Sequence, residues 1–144
     1  MGFKPLTAKE VILLHDMLVE RYGGATGLRD RSLLEAALSR AESRLAYGGA
    51  EPGSPDSIGD ATVAVAAGIV SSHPFVDGNR RTALIVVRSL TNLNDVDFSP
   101  PVGEEADAMV KLASGEWSEE ALKDWVAKHS VMRANFSGTI QAPH

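Results

Sequence analysis

One short segment of the chain gathers side chains that could do chemistry together. Residues 73–81 read HPFVDGNRR and supply a base, a carboxylate, an amide and two guanidinium groups. The imidazole of His73 is a side chain that can act as a base and take a proton from a hydroxyl. Asp77 offers a carboxylate to Mg²⁺, which binds carboxylates together with phosphate oxygens and water. No packing requirement explains this mixture of side chains.

The segment also leads directly into a helical pattern that begins near Gly78. The first backbone N–H groups of a helix have no partner inside the helix, and the helix dipole adds partial positive charge there. Arg80 and Arg81 contribute forked donors that suit phosphate oxygens. We therefore predict a polyphosphate site, in which a Mg-nucleotide lies beside a hydroxyl that is being activated.

Each of these residues, taken alone, has an ordinary structural explanation. Asp77, Gly78 and Asn79 can form a turn that caps a helix, Arg81 can form a surface ion pair, and His73 can hydrogen-bond a carbonyl. Their joint occurrence between two helices favours the functional interpretation. The neighbouring Pro-Phe pair at 74–75 is interpreted as structural, shaping the loop and filling the core.

Two apolar segments flank this loop and must hold it. Residues 58–70 are almost entirely Ala, Val, Ile and Gly, which predicts a helix that is buried on most sides. Ala83, Val86, Val87 and Leu90 recur at helical spacing after the loop. The sequence therefore predicts a central helix-loop-helix that carries the site.

Further helices are predicted on either side of this centre. Thr7 and Glu10 have capping-box spacing and open a helix over about 8–22, and Asp30 caps another that ends near Arg44. Two more are expected at about 104–113 and 119–129, the last capped by Ser118, after a break at 95–103. About six helices in one compact all-α domain follow from this pattern.

Two other features of these elements have specific interpretations. His15 lies on the apolar stripe of the first helix and is predicted to be a packed, hydrogen-bonded core residue rather than a ligand. The Gly- and Pro-rich segment 46–57 is predicted to be an exposed loop or a short hairpin, with a flap over the site as its function.

The composition bounds the remaining possibilities. The chain has 144 residues, no cysteine and a net charge of −5, which argues against disulfides, thiolate chemistry and direct nucleic-acid binding. No segment has the length and apolarity of a membrane span or a leader, so we expect a cytoplasmic protein without membrane contact. Residues 103–124 hold seven acids against two lysines, and we interpret them as solvated helix faces rather than catalytic groups.

The segment HPFVDGNRR resembles the HxFx(D/E)GN signature of the Fic/Doc superfamily. Four longer stretches resemble its death-on-curing (Doc) toxin branch: LTAKEVILLHDMLVERYGG, GLRDRSLLEAAL, HPFVDGNRRTAL and LASGEWSEEALKDWV. The resemblance covers about residues 6–128. It implies a Fic/Doc-like domain over residues 1–129. Residues 130–144 lack a sustained hydrophobic period, so we predict a C-terminal extension there.

The resemblance also implies roles for individual residues. His73 would be the general base that takes the proton of a target hydroxyl, and Asp77 would bind Mg²⁺. Asn79 and Arg81 would orient phosphate oxygens of ATP. Gly78 would let the backbone come close to the nucleotide.

Two positions depart from the pattern of AMP-transferring Fic enzymes. Arg80 stands where those enzymes usually have Gly, and Leu84 stands where their second Arg would be. Doc toxins, which resemble kinases and phosphorylate a threonine of elongation factor Tu, share both departures, generally with Lys at the first position. The resemblance therefore implies transfer of the γ-phosphoryl group of Mg-ATP to a protein hydroxyl.

Two other functions remain open from the sequence: AMP transfer to a protein hydroxyl, and a catalytically degenerate binding module. The intact set of His73, Asp77, Asn79 and Arg81 speaks against the second. The chain contains no match to the inhibitory segment (S/T)xxxE(G/N) of some Fic proteins. We therefore expect a separate small antitoxin as a partner, besides the protein target.

Overall fold

The computed structural model of the chain describes residues 2–133. These residues form six α-helices and two short strands: α1 Ala8–Tyr22, α2 Arg31–Tyr47, α3 Pro55–Ser72, α4 Asn79–Leu93, β1 Val96–Phe98, α5 Glu104–Ser114, α6 Glu119–Lys128 and β2 Ser130–Met132. The predicted all-α architecture with a central helix-loop-helix is confirmed.

Helix α3 lies at the centre because its small apolar residues let neighbouring helices approach from several sides. It packs against α2, α4, α5 and α6. A Cβ atom on Gly68 would lie 2.9 Å from the Cβ of Ala37, so α2 and α3 are in close contact there. The helix begins at Pro55, earlier than the expected residue 58, because Ser54 caps it and proline fits the first helical position.

The predicted starts of α1, α2 and α6 agree with the structure. Thr7 and Glu10 form a complete capping box at α1, and the Asp30 side chain accepts hydrogen bonds from two backbone N–H groups of α2. Ser118 caps α6 by accepting from the N–H of Ala121. These caps are local in sequence, so residue type and spacing are enough to predict them.

Strands β1 and β2 were not predicted. They pair antiparallel, with Val96 opposite Met132 and Phe98 opposite Ser130. Three residues are too few to show a strand period, and their pairing joins parts of the chain that are distant in sequence. The proposed division at residue 129 stays a prediction, and residues 134–144 lie outside the described part of the chain.

The acidic segment 103–124 is less solvated than expected. Glu105 is buried and pairs with Arg88 of α4. Glu119 accepts one hydrogen bond from Arg44 at 2.6 Å and pairs with Arg40 at the same distance. These acids attach α5 and α6 to the rest of the domain, a role that a charge count cannot reveal.

Candidate active site

The candidate site is built on the loop of residues 73–78, between the C-terminus of α3 and the N-terminus of α4. His73 ends α3 in the left-handed conformation, with φ 52° and ψ 62°. Its backbone N–H still donates to the carbonyl of Ile69 at 3.1 Å. The His73 side chain is exposed, so the loop presents an imidazole ring at the protein surface.

The loop is anchored in the core by a pair of aromatic rings. Phe75 is 1% exposed and stacks on His15, with 4.0 Å between the ring centroids and an angle of 8° between the planes. Nε2 of His15 lies 2.8 Å from the carbonyl oxygen of Asp77. Because a carbonyl only accepts hydrogen bonds, Nε2 carries the proton. The predictions that Phe75 plugs into the core and that His15 is a packed core residue are both confirmed.

Asn79 closes the loop on itself. Its Oδ1 accepts a hydrogen bond from the N–H of Phe75 and its Nδ2 donates to the carbonyl of Phe75, each at 3.0 Å. The amide therefore fixes the backbone between His73 and α4. One Nδ2 hydrogen is left for a phosphate oxygen, which limits the role that the sequence assigned to this side chain.

The connection between α1 and α2 lies along the outer side of the loop. The carbonyl of Gly27 accepts from the N–H of Val76 at 3.0 Å, and Leu28 forms an antiparallel bridge with Phe75. This contact involves residues far apart in sequence. No local pattern in the chain indicates it.

The expectation that segment 46–57 is a flap over the site was wrong. Pro52 and Gly53 of this segment line a cavity with Asn94, which follows the C-terminus of α4. The site lies at the opposite end of α4, and segment 23–29 takes the flanking position instead. Glycines at 23, 24 and 27, all with positive φ, were the sequence signal for a special backbone there.

Asp77 is held as an ionised carboxylate. The N–H groups of Ala25 and Gly78 donate to its two oxygens at 3.2 Å and 2.9 Å. These two hydrogen bonds, with a smaller contribution from the charge of Arg81, lower the pKa of the Asp77 carboxyl below its usual value. The side chain is exposed and remains accessible to a ligand.

The N-terminus of α4 is open. Gly78 precedes the helix with φ 77°, no side chain caps it, and its first turn contains no acidic residue. Arg80 and Arg81 are exposed in that turn, and the Arg81 guanidinium carbon lies 5.1 Å from the ring centroid of Tyr22. Backbone N–H groups and two fixed cations thus converge on one place, which suits an anion.

All six residues that the sequence singled out line one cleft of about 660 Å³: His73, Asp77, Gly78, Asn79, Arg80 and Arg81. His73 also borders a second cleft of about 710 Å³ between α2, α3 and the α5–α6 region. The imidazole therefore stands where two open spaces meet. Arg80 and Arg81 line the first cleft, and the second is lined mainly by Ala, Leu, Val and Trp side chains together with the paired Arg40 and Glu119.

A family comparison agrees with this geometry. The model of the Fic/DOC family matches residues 5–90, which run from before α1 into α4 and include the whole loop. The chain belongs to the Fic/DOC family. It is 34% identical over 123 residues to the protein kinase Doc of Escherichia phage P1, an alignment that covers 83% of this chain and 90% of that protein.

Neither a metal-binding cluster nor a membrane-spanning helix is found in the described part of this Fic/DOC chain. Among residues 2–133, no three His, Asp or Glu side chains are grouped so that they could hold a metal ion. None of the helices in this range has both the length and the apolar character needed to cross a membrane.

Proposed function

We propose that this Fic/DOC protein is a Doc-like toxin that transfers the γ-phosphoryl group of Mg-ATP to a hydroxyl of a protein target. The main support is the placement of an exposed base, an ionised carboxylate and an open helix N-terminus around one cleft. The likeness to the protein kinase Doc supports a kinase in particular.

The cleft offers the phosphates of ATP two kinds of positive charge. The first-turn N–H groups of α4 would contact phosphate oxygens directly. Arg80 and Arg81 would add charge-assisted hydrogen bonds from the same turn. Asn79 would contribute one N–H, since the rest of its amide holds the loop.

Asp77 has the properties of a Mg²⁺ ligand. Each of its carboxylate oxygens accepts one backbone N–H and retains a further lone pair, and the lowered pKa keeps the group charged. As no metal-binding cluster occurs in residues 2–133, phosphate oxygens and water would complete the coordination. The ion would neutralise charge on the transferring group.

His73 would act on the acceptor and not on the nucleotide. The hydroxyl proton passes to the imidazole as the hydroxyl oxygen forms a bond to the γ-phosphorus, and the bond from that phosphorus to the β–γ bridging oxygen breaks to leave ADP. The second cleft beside His73 gives a segment of the target protein room to approach. Elongation factor Tu is our candidate target, and a threonine its acceptor.

Arg80 is the residue that favours γ-phosphoryl transfer over AMP transfer. With Gly at this position the backbone would stay open for inner phosphates, which would bring the α-phosphorus to the acceptor. Arg80 is exposed and lines the cleft, where its side chain would narrow that space and add a donor at the α4 N-terminus. The outer phosphate then faces His73.

Labelling with α- and γ-labelled ATP in parallel tests this proposal. The wild type should transfer only the γ label, Arg80→Lys should do so at a reduced rate, and Arg80→Gly should lose most of the γ transfer and gain some α transfer. The mass of the modified target distinguishes phosphate from AMP. Wild-type transfer of the α label, unchanged in Arg80→Gly, would make AMP transfer the function.

Control by a separate antitoxin is the second part of the proposal. Leu84 removes the arginine that an inhibitory glutamate would pair with, and the chain carries no inhibitory segment of its own. We expect a small partner that folds into a groove beside the site. Expression of the wild type alone should arrest growth, whereas the His73→Ala variant should be tolerated; harmless expression of an active wild type would contradict this part.

A further inference from the structure

Arg29 donates hydrogen bonds to three successive carbonyl groups at the start of the active loop. Its Nη2 donates to the carbonyl of Ser72 at 2.6 Å and its Nε to that of His73 at 2.7 Å. Its backbone N–H donates to the carbonyl of Pro74, also at 2.7 Å. Arg29 therefore contacts the backbone on both sides of His73, and the N–H of Asp30 also donates to the carbonyl of Pro74 at 3.0 Å.

These carbonyl groups need a partner from elsewhere. The last carbonyls of a helix have no N–H donor inside it, and a cation at the helix C-terminus also complements the dipole. Arg29, in the connection between α1 and α2, supplies both the hydrogen-bond donors and the positive charge. Its own position is fixed by its neighbours, because Leu28 bridges to Phe75 and Asp30 caps α2.

The backbone conformation of His73 needs the hydrogen bonds that Arg29 donates. Its φ of 52° and ψ of 62° are left-handed, a region that non-glycine residues occupy only when their surroundings hold them there. A relaxed backbone at this residue would swing the imidazole away from its place between the two clefts. The fork of Arg29 opposes that relaxation.

We propose that Arg29 is a positioning residue for His73, holding the imidazole where the acceptor hydroxyl and the terminal phosphate meet. This inference rests on the proposed role of His73 as the general base. Nucleotide binding depends on other contacts, since Asp77 and α4 are held by His15, Ala25 and Asn79. Loss of the fork should therefore lower kcat and leave the affinity for ATP nearly unchanged.

The matched control is Arg31, an exposed arginine at the start of α2 that pairs with Glu35 at 3.4 Å. In γ-label assays, Arg29→Ala should lower kcat about 10- to 100-fold, in keeping with the cost of misplacing a reacting group, with KM for ATP within about twofold. Arg31→Ala should match the wild type. Arg29→Lys should be intermediate, and added guanidinium ion should restore part of the Arg29→Ala activity.

A structural readout separates this inference from the proposed function. The ¹³Cα and ¹³Cβ chemical shifts of His73 should report a left-handed residue in the wild type and in Arg31→Ala, and should move towards other conformations in Arg29→Ala. If the wild type transfers nothing, the proposed function fails and these shifts alone decide the role of Arg29.

Two results would overturn the inference. One is an unchanged kcat in Arg29→Ala with an active wild type, and the other is unchanged His73 shifts in that variant. Should Arg29→Ala not fold, Arg29→Lys serves for both measurements, because it keeps a cation and loses the fork.

Discussion

Helices α4 and α5 begin in the same way and carry opposite charges in their first turns. A glycine in the left-handed region precedes each, Gly78 with φ 77° and Gly103 with φ 91°, and neither helix has a side-chain cap. The first turn of α5 holds three acids, at 104, 105 and 107. That of α4 holds Arg80 and Arg81 and no acid.

This difference indicates which helix N-terminus we expect to bind an anion. The carboxylates of α5 complement its dipole from within the chain, and Glu104 and Glu105 also bond Trp125 and Arg88. Helix α4 leaves its N–H groups open and adds two cations. We therefore expect that an uncapped start is insufficient by itself, and that the charge of the first turn decides whether an external anion can bind.

The largest effect we expect is a loss of phosphoryl transfer that leaves ATP binding at α4 unchanged. His73 belongs to the end of α3, so His73→Ala should leave the anion site intact while removing the base. We expect transfer to fall by about 100-fold or more and ATP binding to stay within about twofold. Single-turnover γ-label assays and calorimetry measure the two quantities. A variant that keeps a tenth of the wild-type rate would mean that His73 positions the acceptor without taking its proton.

The second-largest effect is a loss of nucleotide affinity when the first turn of α4 carries an acid, as that of α5 does. Arg81→Glu places a carboxylate in the open turn, where it competes with the phosphates and removes one of their cations. We expect the affinity for Mg-ATP to fall at least about tenfold, since a charged hydrogen-bonded pair is replaced by repulsion. Titration calorimetry at constant salt measures this change.

The reciprocal variant is the control for that experiment. Asp107 is an exposed acid in the first turn of α5, and Asp107→Arg leaves Glu104 and Glu105 in place. It should neither weaken binding at α4 nor create a second nucleotide site. A gain of affinity in Asp107→Arg as large as the loss in Arg81→Glu would show that net charge, and not the charge of one turn, governs binding.

A smaller effect concerns the carboxylate that comes before the open turn. A Cβ atom on Gly24 would lie 2.9 Å from Oδ2 of Asp77, whereas one on Gly23 would meet nothing within 4 Å. Both glycines have positive φ, so both alanine variants bear similar backbone strain. Only Gly24→Ala should displace the carboxylate, and we expect its Mg²⁺-dependent ATP affinity to fall several-fold below that of Gly23→Ala. Equal affinities would argue against Asp77 as the metal ligand.

The sequence predicted the parts of this site that are local. The helix starts, the loop at 73–78 and its six candidate residues follow from spacing within a few positions. Arg29 and the contact of His15 with Asp77 were missed because they join residues 44 and 62 positions apart. The strand pairing of Val96–Phe98 is long-range in the same sense. The glycine and proline content of segment 46–57 led to the wrong prediction of a flap. Such content indicates that the chain turns, but it does not indicate which part of the fold lies beside the turn.

Helices α4 and α5 also differ in the residue that comes before the left-handed glycine. In α4 it is Asp77, and in α5 it is the fully exposed Val102. The N–H groups of Ala25 and Gly78 lower the pKa of Asp77, so the folded protein binds this proton less tightly than the unfolded chain does. The smallest effect we predict concerns stability and follows from that difference.

A group whose pKa is lowered by folding contributes stability above its unfolded pKa, about 4 for Asp, and that contribution disappears as the pH falls through the lowered value. The free energy of unfolding should therefore differ between wild type and Asp77→Asn by a constant amount from about pH 7 to 5. Below about pH 4 the difference should shrink, because the wild-type carboxyl becomes neutral as well. It should be small throughout, since the side chain is exposed and well solvated. Urea unfolding across this pH range measures it, and a difference that persists unchanged to about pH 2 would show that the two N–H groups do not bind the carboxylate in solution.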